Sequence, residues 1–358
     1  MSHLTRADLD ALPSYVPGRS PTDLARELGL PEAIKLASNE VPYGPLPGVV
    51  EALVEAAQGV HRYPDMGVVA LRDALAERYG VAPDRVATGC GSVALAEHLI
   101  RAACVPGDEV LYSWRSFEAY PIITATTGAA SVRVPNDAEH GHDLRAMAAA
   151  VTDRTRVILV CNPNNPTGTS VRRAELDEFL DTVGEGVLVV LDEAYREFVT
   201  DPSVPDGLAA FGDRPNVVVL RTLSKAWGLA GLRVGWLVAT PEVAGAVRKV
   251  VTPFSTSSAA QAAALAALGA ADEMRRRVEL VIAERERVFN ALHKRVPDVP
   301  ETQANFVWLP IGERAVPFAA ACEAHGVIVR PFPGEGVRVT IGTPAENDVF
   351  LMVADSAL

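Results

Sequence analysis

Positive charge is in short supply in this chain. Its 358 residues carry 33 Lys and Arg against 45 Asp and Glu, a formal net charge of −12. Nucleic acid and anionic membranes both call for a basic face, so neither is expected as the main partner. Cysteine is scarce as well. Cys90, Cys104, Cys161 and Cys322 show no C-x-x-C or similar ligand spacing. That argues against a metal site and fits reduced thiols of a cytoplasmic protein. No run of about 18 uninterrupted apolar residues occurs, so no membrane span is expected. Residues 1–12 mix polar, charged and apolar types without the apolar centre of a secretion signal. Aromatic residues make up only 6% of the chain, so any local cluster of them carries weight.

What is abundant is apolar content, at 49%. That suffices for a large core and for two domains, or one domain with a lobe. Residues 13–48 are rich in proline and glycine and read as an extended arm with one short helix near 22–27. From residue 49, short apolar runs alternate with helical periodicity. Strands are expected at 86–88, 109–113, 131–135, 156–161, 186–192, 216–221 and 234–239. Helices are expected at 67–79, 92–103, 144–151, 172–183 and 241–251. This alternation predicts an α/β fold: a three-layer α/β/α domain over 49–245 with a mostly parallel sheet. Beyond it, an alanine-rich tract at 258–271 and a charged helix at 272–295 precede short strands at 306–309, 327–330 and 337–341, with a helix at 315–325. Residues 246–358 therefore read as a small α+β domain, which the arm, 1–48, joins.

In a parallel sheet, ligands bind beyond the carboxyl ends of the strands. Four polar clusters follow an expected strand at that end. The first, Thr88-Gly89-Cys90-Gly91-Ser92-Val93-Ala94, suits a phosphate at a helix N-terminus. It also fits G-x-G-x-x-[GA] of dinucleotide folds, or a mere tight turn. The second runs from Cys161 to Thr169 as C-N-P-N-N-P-T-G-T. Its asparagine amides can bond a phenolate or a carboxylate. The third, Asp192-Glu193-Ala194-Tyr195, ends a buried strand with a carboxylate that is costly unless paired. A pyridinium N–H would pair with it; a helix cap is the plainer use. The fourth places Thr222, Ser224 and Lys225 after a strand and Arg233 eight residues past the lysine. Hydroxyls and a guanidinium hold phosphate, and a lysine amine condenses with an aldehyde. A phosphate cradle, a phenolate partner, a ring-nitrogen partner and an amine together describe a pyridoxal phosphate site. A dinucleotide reading leaves the last three unexplained.

With these residues in hand, the chain resembles the fold-type I aminotransferases that use pyridoxal 5'-phosphate, over nearly its whole length. It is most similar to the histidinol-phosphate aminotransferase subfamily, in the actinobacterial branch of aromatic (phenylalanine) aminotransferases. The matching segments are Lys35-Leu36-Ala37-Ser38-Asn39-Glu40, Arg62-Tyr63-Pro64-Asp65, Asn162 to Gly168, Asp192 to Tyr195, Thr222 to Lys225, Gly228 to Arg233 and Arg338-Val339-Thr340-Ile341-Gly342. The resemblance implies roles that spacing alone does not give. Lys225 would be the covalent attachment point and proton shuttle, Asp192 the partner of the ring nitrogen, and Asn165 and Tyr195 partners of the ring oxygen. Gly91, Ser92, Thr222, Ser224 and Arg233 would hold the phosphate. Phe117 would stack on the ring. Tyr63 would reach the phosphate of a partner subunit, which implies a homodimer with shared sites. Arg338 would clamp the substrate carboxylate, with Asn39, Asn165 and Tyr15 also on the substrate side.

The departures from the subfamily lie where polar groups are lost: Val41 in the arm motif, Gly91-Ser92 in the phosphate loop, and Arg115-Ser116-Phe117. Trp114, Phe117 and Tyr120 also gather three aromatics in one stretch. The expected reaction is therefore transfer of the amino group of an aromatic amino acid to 2-oxoglutarate. Histidinol phosphate is the alternative, with Arg19 and Arg330 as cations for its phosphate. A decarboxylase or racemase would use the same cradle.

Overall fold

The computed structural model describes Leu4, Asp10, Leu12 and residues 19–358. Its strands, in chain order, are β1 Ile34–Lys35, β2 Val86–Cys90, β3 Glu109–Trp114, β4 Ala130–Pro135, β5 Thr155–Cys161, β6 Leu188–Asp192, β7 Val217–Thr222, β8 Val234–Val238, β9 Phe306–Leu309, β10 Val327–Ile328, β11 Arg330–Phe332 and β12 Gly336–Thr340. Seven of them form one sheet in the order β2-β8-β7-β6-β5-β3-β4. All its pairings are parallel except those of β8, which is antiparallel to both β2 and β7. Since two reversals restore direction, β2 runs the same way as β5, β6 and β7. Their carboxyl ends, at Cys90, Cys161, Asp192 and Thr222, share one edge of the sheet. The mostly parallel α/β fold expected from the sequence is present.

The central strands are apolar on both faces because helices cover both faces. Val157, Leu159, Val190, Val218 and Leu220 pack into one layer, with Leu95 and Leu99 of the helix Gly91–Ala103 and Val247 of Pro241–Val250. Ile158, Val160, Val189, Leu191, Val217 and Val219 pack into the opposite layer, with Leu176, Phe179 and Leu180 of Arg173–Val183. Strand side chains alternate faces. Asp192 therefore lies on the face of Val190, and Thr222 on the face of Leu220, both in the layer of the helix Gly91–Ala103. That helix starts immediately after β2, with no loop between. Its first turn lies so close to β8 that a Cβ on Gly235 would overlap the backbone of Gly91 and Ser92.

The remaining strands make a three-stranded antiparallel sheet, β11-β12-β9, and a two-stranded parallel pair, β1-β10. The single strand expected over 327–330 is thus two strands in different sheets. The second edge that β10 needs comes from β1, which is too short for periodicity to reveal. The helices Val49–Ala57, Ala119–Thr127 and Pro344–Ala357 also went unread from the sequence. The helix Ser258–Gly269 packs on Val49–Ala57 and Val69–Tyr79. Among the described residues, no helix is long and apolar enough to cross a membrane.

Candidate active site

A cavity of about 610 Å³ opens at the shared carboxyl edge. Ser92, Phe117, Asn165, Asp192, Tyr195, Thr222, Ser224, Lys225, Arg233, Asn39 and Arg338 all line it. The four sequence clusters, which lie between Thr88 and Arg233 in the chain, therefore meet in one space.

Asp192 is 5% exposed. Its Oδ2 accepts a 2.8 Å hydrogen bond from the Tyr120 hydroxyl, while Oδ1 is buried without a partner among the described residues. Burial pushes its carboxyl up to about 6, opposed by the Tyr120 hydrogen bond. An orphaned carboxylate oxygen facing a cavity is the feature that a ring N–H would satisfy. Lys225 Nζ sits 3.2 Å from the Ser38 carbonyl and 5.8 Å from the centre of the Tyr195 ring. Burial, helped by the nearby Arg338 guanidinium, lowers its amine to about 7. A neutral amine, which is the nucleophilic form, is thus accessible near neutral pH.

The phosphate cradle is built from β2, β7 and the loop before β8. Thr222 Oγ1 donates to Ser224 Oγ at 2.9 Å, and Arg233 Nη1 reaches that same oxygen at 3.3 Å and the Ala230 carbonyl at 2.9 Å. The Arg233 guanidinium passes close to Gly91, whose φ is +82°. A Cβ there would collide with the guanidinium, so glycine serves both the backbone and the close approach. Among the described residues, no side chain caps the helix Gly91–Ala103, leaving its first N–H groups for an anion. The orphaned carboxylate, the neutral amine and this cradle fit pyridoxal phosphate. Lys225, Asp192, Asn165, Tyr195, Ser92, Thr222, Ser224 and Arg233 are the residues that would hold it.

Arg338, on β12 between β11 and β9, donates from Nη1 to Asn165 Oδ1 at 2.6 Å and from Nη2 to the Ala37 carbonyl at 2.5 Å. The Asn39 amide donates to the Tyr195 hydroxyl at 2.9 Å, and its Oδ1 accepts from Thr340 at 3.0 Å. Asn39, expected from the resemblance on the substrate side, thus orients Tyr195. Of the three asparagines in 162–165, Asn162 bonds the Val171 backbone and Asn164 bonds Ser116 and Thr167. Only Asn165 is left for the cavity. Tyr15 lies outside the described residues. Tyr63 is not in its own chain's cavity; it is 82% exposed and stacks on Phe254 at 4.5 Å.

The aromatic cluster at 114–120 requires a correction. Only Phe117 lines the cavity. Tyr120 is buried beneath it, edge-on to Phe117 and bonded to Asp192, while Trp114 is sandwiched by Arg115 and Arg133. The stretch leaves a strand and enters a helix, so its rings diverge. Tyr120, which the sequence does not single out as a site residue, is thus the hydrogen-bond donor to Asp192. Replacing it with phenylalanine is expected to push the Asp192 carboxyl further up, since the lost bond had been holding it down. The dissociation constant of pyridoxal phosphate should rise about tenfold at pH 7, and by more at pH 6 than at pH 8. Equal constants for variant and wild type at both pH values would contradict the assignment.

The described chain matches the family of aminotransferases class I and II over residues 31–353. The chain belongs to that family. Pyridoxal phosphate is the family's cofactor, and the groups that line the cavity fit it. An aromatic amino acid aminotransferase of Streptomyces avermitilis is 58% identical over 350 residues, 98% of this chain and 96% of that protein. A protein of the same name from Thermobifida fusca is 56% identical over 349 residues, again 98% and 96%. Among solved structures, histidinol-phosphate aminotransferase from Sinorhizobium meliloti, in complex with pyridoxal-5'-phosphate, superposes with a TM-score of 0.87 at 28% identity. The match covers 99% of this chain and 98% of that one.

As an aminotransferase, the apoprotein should attach its cofactor only through neutral Lys225. A group whose charged form is disfavoured by burial is protonated below its lowered pKa and neutral above it. The rate of attachment should therefore rise as pH passes about 7 and level off well before pH 10. A rate still climbing steeply at pH 9 would mean an ordinary lysine.

Proposed function

We propose that this aminotransferase moves the amino group of an aromatic amino acid to 2-oxoglutarate in two half-reactions at one site. The observation that carries the reading is the meeting of Lys225, Asp192 and Arg338 in one cavity. When bound, pyridoxal phosphate supplies the aldehyde that takes up the amino group and a ring that spreads the electron pair left by the α-proton. The Arg338 guanidinium, anchored by Asn165 and Ala37, presents its fork to the substrate carboxylate. Lys225 Nζ would remove the α-proton and redeliver it, because its pKa, lowered to about 7, leaves much of the amine neutral at neutral pH. Asp192, with Tyr120 behind it, would offer the ring nitrogen a compensating negative charge. Phe117 covers one face of the cavity and Tyr195 is held for the ring oxygen by Asn39.

The aromatic preference is supported by the names of the relatives above and by the cavity wall. Val93, Ala94, Phe117, Ile122 and Ile123 line it. Histidinol phosphate would need uncompensated cations. Arg19 is instead paired with Glu27 and Glu323, and Arg330 with Glu118. A homodimer with shared sites and a cytoplasmic location belong to the same reading. The exposed Val60, Tyr63, Met66 and Val69 and the exposed Phe254 give a partner an apolar surface to cover. The test is a panel of phenylalanine, tyrosine, tryptophan and histidinol phosphate, each with 2-oxoglutarate. The reading expects the highest kcat/KM among the aromatic amino acids; a higher value for histidinol phosphate would overturn it.

A further inference from the structure

We propose that Glu118 sets the side-chain specificity of this cavity by neutralising Arg330; the inference rests on the aromatic reading above and deepens it. Arg330 opens β11 and lines the cavity. Its side chain is 13% exposed, and Nη2 donates to both carboxylate oxygens of Glu118 at 3.1 and 3.0 Å. Glu118 directly follows Phe117 and precedes the helix Ala119–Thr127, so its carboxylate is fixed beside the ring-covering residue.

The other charge on this wall is Glu97, which is bridged at 2.6 Å by Arg101 one helical turn away. Both charged groups on the wall are thus compensated, and its other side chains named above are apolar. An aromatic side chain loses nothing against such a surface. A phosphomonoester, carrying about −1.5 to −2 charges at pH 7, meets the Glu118 carboxylate as well as the arginine. It gains from Arg330 only by breaking the pair, which leaves the half-buried Glu118 carboxylate without its cation and offsets the gain. The pair therefore selects against anionic side chains by occupying the cation that, among the described residues, lies on this wall.

The hairpin that carries Arg330 does not depend on this pair alone. Arg115, three residues before Glu118, is bridged to Glu335 between β11 and β12 through two hydrogen bonds, one of them 2.8 Å. Glu118→Gln keeps the shape of the side chain and leaves that second tie intact, so the variant should fold.

The experiment compares kcat/KM for histidinol phosphate and phenylalanine, each with 2-oxoglutarate, in wild type, Glu118→Gln and Glu118→Gln/Arg330→Met. In Glu118→Gln the ratio should move towards histidinol phosphate by at least about tenfold, or about 1.4 kcal/mol. The shift should shrink as salt is added, because it comes from an unmasked charge. In the double variant it should return to the wild-type value or below. An unchanged ratio in Glu118→Gln, or a gain that survives loss of Arg330, would overturn the inference. Wild-type turnover of phenylalanine tests the functional reading separately, so the two failures are distinguishable.

Discussion

Lys225→Ala is expected to take up pyridoxal phosphate and to turn over no substrate at a useful rate. The cradle of Ser92, Thr222, Ser224 and Arg233 and the carboxylate of Asp192 do not depend on the lysine, so affinity should persist. What disappears is the amine at the centre of the cavity, and with it both the covalent attachment and the group that moves the α-proton. Positioned proton transfer alone is worth about 10²–10⁴-fold, so kcat should fall by on the order of 10⁴ or more. The absorption spectrum should match free rather than covalently held cofactor, and borohydride should fail to fix it to the protein. A small exogenous amine should restore part of the proton transfer. A variant with wild-type turnover would remove Lys225 from the mechanism.

Arg338→Ala should lose most substrate affinity for amino acids. The side chain is 8% exposed and its fork is held by Asn165 and the Ala37 carbonyl. A carboxylate desolvated beside an alanine lacks its charge partner, at a cost of about 3–5 kcal/mol. That is about a hundredfold to a few thousandfold in kcat/KM. A second readout separates this role from a structural one. Arg338 is one of the cations that keep the Lys225 amine low. Its loss should raise that pKa and shift cofactor attachment to higher pH. An aromatic amine without a carboxylate should suffer much less than phenylalanine. Equal losses for both compounds would sink the carboxylate clamp.

How much of this was legible beforehand depended on the range of the interaction. Asp192, Lys225 and Asn165 stood out because each follows an apolar strand in a polar cluster whose composition no simple turn requires. Arg338 and Phe117 gave no such signal: an arginine in a short strand, or one aromatic near a helix, has many bland uses, and only resemblance pointed to them. Tyr120 was read as part of an aromatic patch and is in fact the hydrogen-bond donor behind Asp192. Its proline neighbour at 121 and the strand before it hid the helix Ala119–Thr127 from periodicity. β1, two residues long, exists only because β10 offers it an edge.

The chain's own order of residues determined the alternation of strands and helices, the placing of polar clusters at strand ends, and the kinds of functional group available. Those are local consequences of backbone period and side-chain chemistry. Which groups meet, which face they share, and which charges are already spoken for were decided by folding. Asp192 acquired Tyr120, Asn39 turned to Tyr195, and Arg330 met Glu118 across 212 residues of chain. Burial then moved Lys225 and Asp192 away from their ordinary ionisation, because desolvation is a property of surroundings that no short segment carries alone.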